Sequence, residues 1–449
     1  MHVYIEGIVT ANGGDAAILE AQISHLRSSL NASKFTIADN LTAVARRRFP
    51  THEVVPRSYD LTIGTPTSHG HNIRKLLALK HTRTQSETYD RIAKPLIANF
   101  IRRSRHSTLN ALNDADIFYY GGGTTLVENY RLVDKFFGLR LAIALNKPIV
   151  LGTQSLGPFI DATNAELVRL VAANARLMIL RDNKSLDHLR EVGADIHRAR
   201  VLPDVAFSFA RTGDPQFNRR LGSTRNPKVA ISVREWRYFK HVRPDIGMRR
   251  YLQMIADLTT VLIVNHDAEV HFVSTCQGVP EYWTDDSEVA LRIVSLLPPH
   301  VAARVRVSRR PQTTDMLGNF YASCDLVVAT RMHAAILAMC GGTPVLPIVY
   351  EYKTEELARA VSLGDWMIDI ESSSSAELLN KCESFLVNLN AIAPPMRNDV
   401  VQLAAKAQTT GQLVRSALDE AARPNDQRNG ATSLYTHALG NPSSPKVLR

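Results

Sequence analysis

The sequence predicts an α/β protein made of two doubly wound, Rossmann-like domains that face each other across a cleft and are closed by C-terminal helices. Three observations predict it. Short apolar, β-branched runs alternate with segments at helical spacing over residues 1–210, the pattern of parallel strands joined by crossover helices. The polar stretch RTGDPQFNRRLGSTRNP, residues 211–227, interrupts that rhythm, and the rhythm restarts over 227–370. A chain of 449 residues is also too long for one ordinary core.

In the first domain HVYIEGIVT reads as a buried strand, Gly13-Gly14-Asp15 as a turn and AAILEAQISHLRSSL as an amphipathic helix. KFTIAD is a second strand. ADIFYYGGG is a strand that ends in glycines, and TTLVENYRLVDKFFGLRLAIALN runs at helical spacing. KPIVLGTQS is again a strand. ELVRLVAANARLMIL is a helix leading into a strand, and RDNKSLDHLREVG is a helix for which Asp182 is a candidate N-cap. In the second domain KVAISVR, EVHFVST, CDLVVATR and GGTPVLPIVY read as strands. MRRYLQMIADLTTVLIVNH, DSEVALRIVSLL and MHAAILAMC read as the helices between them. Residues 371–423 read as closing helices. Residues 424–449 are polar, rich in Asn, Pro and Ser, and expected to be disordered.

With 45% hydrophobic and 21% charged residues the composition is that of a globular protein, which excludes collagen-like and repeat-array classes. No run of 18 apolar residues suggests a transmembrane helix, and the first residues lack the cationic and apolar regions of a signal peptide. The four cysteines, Cys276, Cys324, Cys340 and Cys382, have no CxxC spacing, which argues against a zinc site or disulfide framework. A cytoplasmic protein is expected. Of the net charge of +10, residues 67–106 supply +7, from nine Lys/Arg against Glu87 and Asp90. Such a segment attracts nucleic acid, anionic lipid or acidic ligands, or is a solvated helix face. Only Tyr89 and Phe100 are aromatic there, too few for a base-stacking platform, so no nucleic-acid partner is expected. RIAKPLIANFIRRSRH mixes Ile92, Leu96, Ile97, Phe100 and Ile101 with cations, and a peripheral contact with an anionic membrane at its cytoplasmic face is the sharper expectation.

In doubly wound folds ligands bind at the carboxyl ends of strands, so residues there are the site candidates. Asn12-Gly13-Gly14-Asp15 and Gly121-Gly122-Gly123-Thr124-Thr125 are strand-to-helix loops whose glycines either let backbone N–H groups approach an anion or permit tight packing. Neither is a Walker A motif, and neither completes GxGxxG. Gln154 and Ser155 follow the strand KPIVL with groups suited to a sugar or phosphate, and Arg181 follows LMIL. In the second domain Arg234 ends VAISV, Arg331 and His333 stand where CDLVVAT gives way to a helix, and Lys353 lies just past VLPIVYEY. Guanidinium groups bind phosphate or carboxylate bidentately, and histidine moves protons near neutral pH. Three cations and an imidazole at one cleft point to a small, multiply anionic ligand. No DxD-type pair is present there, so neither a metal nor a cofactor is expected.

The architecture is that of GT-B-type sugar-active enzymes, and an ordered series of motifs over roughly residues 1–370 resembles the polysaccharide pyruvyl transferase family. The series runs Gly13-Gly14-Asp15-Ala16-Ala17-Ile18-Leu19, Tyr120-Gly121-Gly122-Gly123, Gln154-Ser155-Leu156-Gly157-Pro158, Arg181-Asp182 with Ser185, and Pro203-Asp204-Val205-Ala206-Phe207. It continues with Ser232-Val233-Arg234, Asp325-Leu326-Val327-Val328, Arg331-Met332-His333 and Gly341-Gly342-Thr343-Pro344-Val345, and ends with Tyr350 and Lys353. The resemblance implies that phosphoenolpyruvate is the donor, bound by Arg234, Arg331 and His333 with Lys353 assisting, and that a pyruvate ketal is placed across two sugar hydroxyls. His333 is then the candidate acid/base, and Asp15 the candidate base toward the hydroxyl. The acceptor, a saccharide in a polysaccharide, glycolipid or lipid-linked precursor, is expected near Gly122, Gly123, Thr124, Gln154, Ser155 and Arg181. The alternative is a GT-B glycosyltransferase using a nucleotide-sugar donor, because Gly342-Thr343-Pro344-Val345 after a helix also suits such a donor site.

Overall fold

The structure, a computed structural model, describes residues 1–62, 94–219 and 226–422. Much of the basic segment, residues 67–93, and the tail from 424 lie outside the described residues.

Each half is a parallel sheet wrapped by helices. The first sheet is built from β1 (His2–Glu6), β2 (Lys34–Ala38), β3 (Glu53–Val55), β4 (Ile117–Tyr120), β5 (Gly123–Leu126), β6 (Ile149–Leu156), β7 (Ala175–Leu180) and β8 (Ala199–Val201). Its order is β3-β2-β1-β4-β6-β7-β8, with β5 pairing β6 from outside that path. The second sheet comprises β9 (Lys228–Ser232), β10 (Glu269–Phe272), β11 (Val305–Val307), β12 (Leu326–Ala329), β13 (Val345–Val349) and β14 (Ile368–Asp369), in the order β11-β10-β9-β12-β13-β14. The order reverses between β1 and β4 in one sheet and between β9 and β12 in the other. Crossovers leave toward opposite sides at such a point, so each sheet opens a crevice beyond the carboxyl ends of its two central strands.

These central strands are apolar on both faces because helices cover both, and β1, β4, β12 and β13 are buried throughout. The sequence reading placed one long helix from Thr124. The chain instead makes β5 first, with Gly123 paired to Gln154, and helix begins only at Leu132. Thr124 and Thr125 are β-branched and sit beside the β6 edge, so sheet pairing wins over helical periodicity.

Two segments tie the halves together. Val205–Phe209 forms a 3₁₀ helix capped by Asp204; its Val205 belongs to the apolar core of the first half, while Ala206 and Phe207 belong to that of the second. The closing helices are Ser375–Val387, Leu389–Gln408 and Thr410–Ala422. They do not all stay with the second half. The last returns to the first, where Val414 is buried in its core and Arg415 Nη1 donates to the Ser29 carbonyl at 2.7 Å.

Of the basic segment, the helix Lys94–Arg103 is described. Ile97 and Ile101 are fully buried in the core of the first half, and Phe100 packs against that core. The apolar face expected to meet a membrane is therefore spent on the protein interior, and Leu96 is left as the exposed apolar side chain. No described helix is long and apolar enough to cross a membrane.

Gly342 has φ +79°, and a Cβ there would stand 2.1 Å from the Phe217 carbonyl oxygen. Gly342→Ala should therefore cost on the order of 3 kcal/mol of stability, from left-handed strain and overlap together. Urea denaturation monitored by circular dichroism would show it as a lowered midpoint.

Candidate active site

The site residues gather where the two crevices face each other. The helix Gly13–Leu30 starts just past β1, capped by Asn12, whose side chain accepts from Gly14 N at 2.9 Å. Its first turn presses on the second half. Gly13 N donates to the Thr275 carbonyl at 2.9 Å, and the His333 ring lies against Gly14, where a Cβ would come within 2.4 Å of Nδ1. Only glycine leaves room for the imidazole there.

His333 sits in the first turn of the helix Met332–Cys340, which follows β12. Its Nε2 is buried, has no hydrogen bond among the described residues, and stands 3.5 Å from Asp204 Oδ2. The other oxygen of Asp204 caps the 3₁₀ turn by accepting from Ala206 N at 3.0 Å. Arg181 Nη1 donates to Oδ2 at 2.8 Å. Burial opposes ionisation of Asp204, but His333 and Arg181 outweigh it and hold the carboxyl well below the usual carboxylate range.

Arg181 is itself held on three sides. Besides Asp204, its Nε donates to Ser155 Oγ at 2.8 Å and its Nη2 to Thr124 Oγ1 at 2.5 Å. Ser155 Oγ donates to Asp182 Oδ2 at 2.6 Å, and Asp182 caps the next helix by accepting from Ser185 N at 2.7 Å, as the sequence suggested. Across the cleft Lys353 Nζ reaches the same Thr124 hydroxyl at 3.2 Å and pairs with Glu351 at 3.0 Å. Burial lowers the lysine's pKa, with Glu351 opposing. The Asp15 carboxylate lies against Gly123 and within electrostatic reach of His333, Arg181 and Lys353. Burial pushes its pKa up to about 6, against the pull of those three cationic groups. A group that titrates near neutral pH in a cleft is a candidate for proton transfer.

Arg331 and Arg234 flank this cluster at the β9/β12 crevice. Arg331 is gripped bidentately by the fully buried Asp286, Nε to Oδ2 at 2.9 Å and Nη2 to Oδ1 at 2.6 Å. Arg234 stands over the rings of Tyr350 and Trp236, at 4.4 and 5.0 Å from their centroids, and makes no ion pair among the described residues. Next to the Arg181–Asp204 pair a cavity of about 440 Å³ opens between the halves, lined in part by Met332, Lys353, Leu357 and Leu403.

The structure thus brings together Asp15, Thr124, Arg181, Arg234, Arg331, His333 and Lys353. It places the others behind them. Gln154 and Ser155 are fully buried and Gly122 and Gly123 are buried, so Ser155 serves Arg181 and Asp182 rather than a ligand. Nor are the cations free in the way the sequence suggested. Arg181, Arg331 and Lys353 each have a carboxylate partner in Asp204, Asp286 and Glu351. Asp204 stood in the recognised motif series but received no role there. Asp286 carried no signal beyond its place at a helix start. Among the described residues no cluster of His, Cys, Asp and Glu could hold a metal ion.

The fold is GT-B-like, with two Rossmann-like sheets facing one interdomain cleft. The solved structures this chain is similar to have that fold. UDP-GlcNAc 2-epimerase from Neisseria meningitidis superposes with a TM-score of 0.55 at 11% identity, covering 93% of this chain and 99% of that one. HepE from Anabaena, in complex with UDP-glucose, gives a TM-score of 0.53 at 15% identity, covering 93% and 99%. Sucrose-phosphate synthase from Thermosynechococcus elongatus gives 0.54 at 13%, covering 94% and 99%. Residues 12–352 match the polysaccharide pyruvyl transferase family, and the chain belongs to it. It is also 26% identical, over 301 residues, to the amylovoran biosynthesis protein AmsJ of Erwinia amylovora, covering 65% of this chain and 70% of that protein.

Removing Arg181 leaves a buried carboxylate without its ion-pair partner, a change that costs about 3–5 kcal/mol. Arg181→Met should lose stability on that scale in urea denaturation. Adding Asp204→Asn should restore part of it, since no charge is then stranded.

Proposed function

We propose that this enzyme moves the enolpyruvyl carbons of phosphoenolpyruvate onto two hydroxyls of a saccharide, forming a pyruvate ketal and releasing phosphate. The observation that carries the reading is the meeting of Arg234, Arg331 and His333 from one half with Asp15 and Arg181 from the other, around the His333–Asp204 pair.

The donor bears a phosphate and a carboxylate. Arg234, which makes no ion pair among the described residues, meets the anion first, and Lys353 and Arg331 share it with Glu351 and Asp286. His333, as imidazolium stabilised by the Asp204 carboxylate, delivers a proton to the methylene carbon. The neighbouring carbon becomes electrophilic, and a sugar hydroxyl adds to it while Asp15 takes the hydroxyl proton. Cleavage of the bond to the phosphate oxygen then lets the second hydroxyl close the ring, its proton leaving with phosphate. The methyl of the ketal and the released phosphate account for the two hydroxyl protons. Fixed cations in a partly desolvated cleft stabilise the developing charge. General acid–base groups contribute about 10²–10⁴-fold.

Phosphoenolpyruvate should raise the melting temperature of the protein, since a ligand at 100 times its Kd adds about 2.7 kcal/mol of stability. Arg234→Ala should abolish the shift. A shift with a nucleotide sugar and none with phosphoenolpyruvate would replace this reading with glycosyl transfer.

His333→Ala should keep the phosphoenolpyruvate shift while phosphate release falls at least about 100-fold. A base works only when deprotonated, so the rate should rise with pH as Asp15 loses its proton near pH 6. That limb should vanish in Asp15→Asn.

A further inference from the structure

Among the described residues three aromatic side chains are exposed: Tyr130 at 49%, Tyr238 at 56% and Trp283 at 77%. Tyr130 and Tyr238 border the candidate active site. Tyr130 lies on the loop that leaves β5 for the helix Leu132–Ala144, a few residues past Gly123 and Thr124. It is within electrostatic reach of Asp15 in its own half and of Arg234, Glu351 and Tyr238 in the second. Tyr238 ends a run of touching rings that starts beside Arg234. Tyr350 and Trp236 are 4.5 Å apart by centroid, and Trp236 and Tyr238 are 5.3 Å apart. Trp283 is 5.8 Å from Tyr282, and Tyr282 in turn is within reach of Asp15, Arg331 and Tyr130.

Large aromatic faces left in water at the rim of a polar cleft mark a binding surface. The rings alternate with hydroxyl groups and stand beside paired charges, so the surface suits a ligand that is apolar on its faces and hydroxylated at its edges. A pyranose is such a ligand: its axial C–H bonds give it an apolar face that packs on an aromatic ring through dispersion. Its equatorial hydroxyls point sideways, where polar side chains can meet them. Gln154 and Ser155, by contrast, are out of reach of any sugar.

We propose that Tyr130 and Tyr238 are the two walls of the subsite that takes the pyranose ring of the acceptor. The inference rests on the pyruvyl-transfer reading in so far as this sugar is the acceptor. The walls come from opposite halves, one after β5 and one after β9, so the ring is gripped only where the halves meet.

The test uses the full chain and a panel of 4-nitrophenyl hexopyranosides, with binding read by saturation-transfer NMR and donor binding read separately as the phosphoenolpyruvate thermal shift. At least one glycoside should bind the wild type. Tyr130→Ala and Tyr238→Ala should each weaken its Kd at least ten-fold, while the Phe variants stay within about three-fold and all four keep the phosphoenolpyruvate shift. Both positions are exposed, and circular dichroism should show all four variants folded as the wild type. An unchanged Kd in both alanine variants, or no glycoside bound by the wild type with or without phosphoenolpyruvate, overturns the subsite. Glycoside binding that depends on both tyrosines in a protein blind to phosphoenolpyruvate would instead sink the donor assignment and leave the sugar subsite standing.

Discussion

The carboxylate of Asp204 is the point on which the arrangement depends. One oxygen caps the 3₁₀ turn that links the two apolar cores, and the other faces Arg181 and His333. Folding, docking of the halves and orientation of the imidazole therefore share a single side chain. A charge so deeply buried is costly unless matched, and the match comes from both sides of the seam: Arg181 follows β7 in the first half, and His333 follows β12 in the second. The imidazole is fixed against the backbone at Gly14 on one side and aimed at a carboxylate on the other. What positions the candidate acid is thus the same contact that brings the halves into register.

The two reversal points of strand order explain why these groups meet at all. Asp15 follows the central strand β1 of one sheet, and Thr124 stands in the short β5 just past the central strand β4. Arg234 and Arg331 follow the central strands β9 and β12 of the other. Facing the two crevices toward each other superposes four loops that are remote in the chain. The charges at the meeting place nearly cancel, since Arg181, Arg331 and Lys353 are each matched by a carboxylate. An arriving anion therefore competes for cations already held in place, which keeps them ordered when the cleft is empty.

Much of this was legible in the sequence because parallel sheets write themselves as apolar runs with loop residues at fixed places. The central strands, the helices after them and the candidates Asp15, Arg181, Arg234, Arg331, His333 and Lys353 follow from position at strand ends alone. What was not legible depended on contacts between segments distant in sequence. Thr124 and Thr125 read as helix because nothing local reveals the edge of β6. Ser155 looked like a ligand group because its burial under Arg181 is a tertiary fact. Asp286 sits 45 residues from the arginine it holds. The helix Lys94–Arg103 has an amphipathic face that suits a membrane or a core equally well, and only the fold shows that Ile97 and Ile101 face inward.

The return of the last helix to the first half has a mechanical consequence. The backbone crosses the seam once around residues 205–219 and again near Thr409, where Leu389–Gln408 gives way to Thr410–Ala422. Two covalent crossings act as the two pins of a door. They suppress sliding and twisting of one half on the other and leave rotation about the line joining them as the soft motion. Rotation about that line would part Lys353 from Thr124 and Gly13 from Thr275 together.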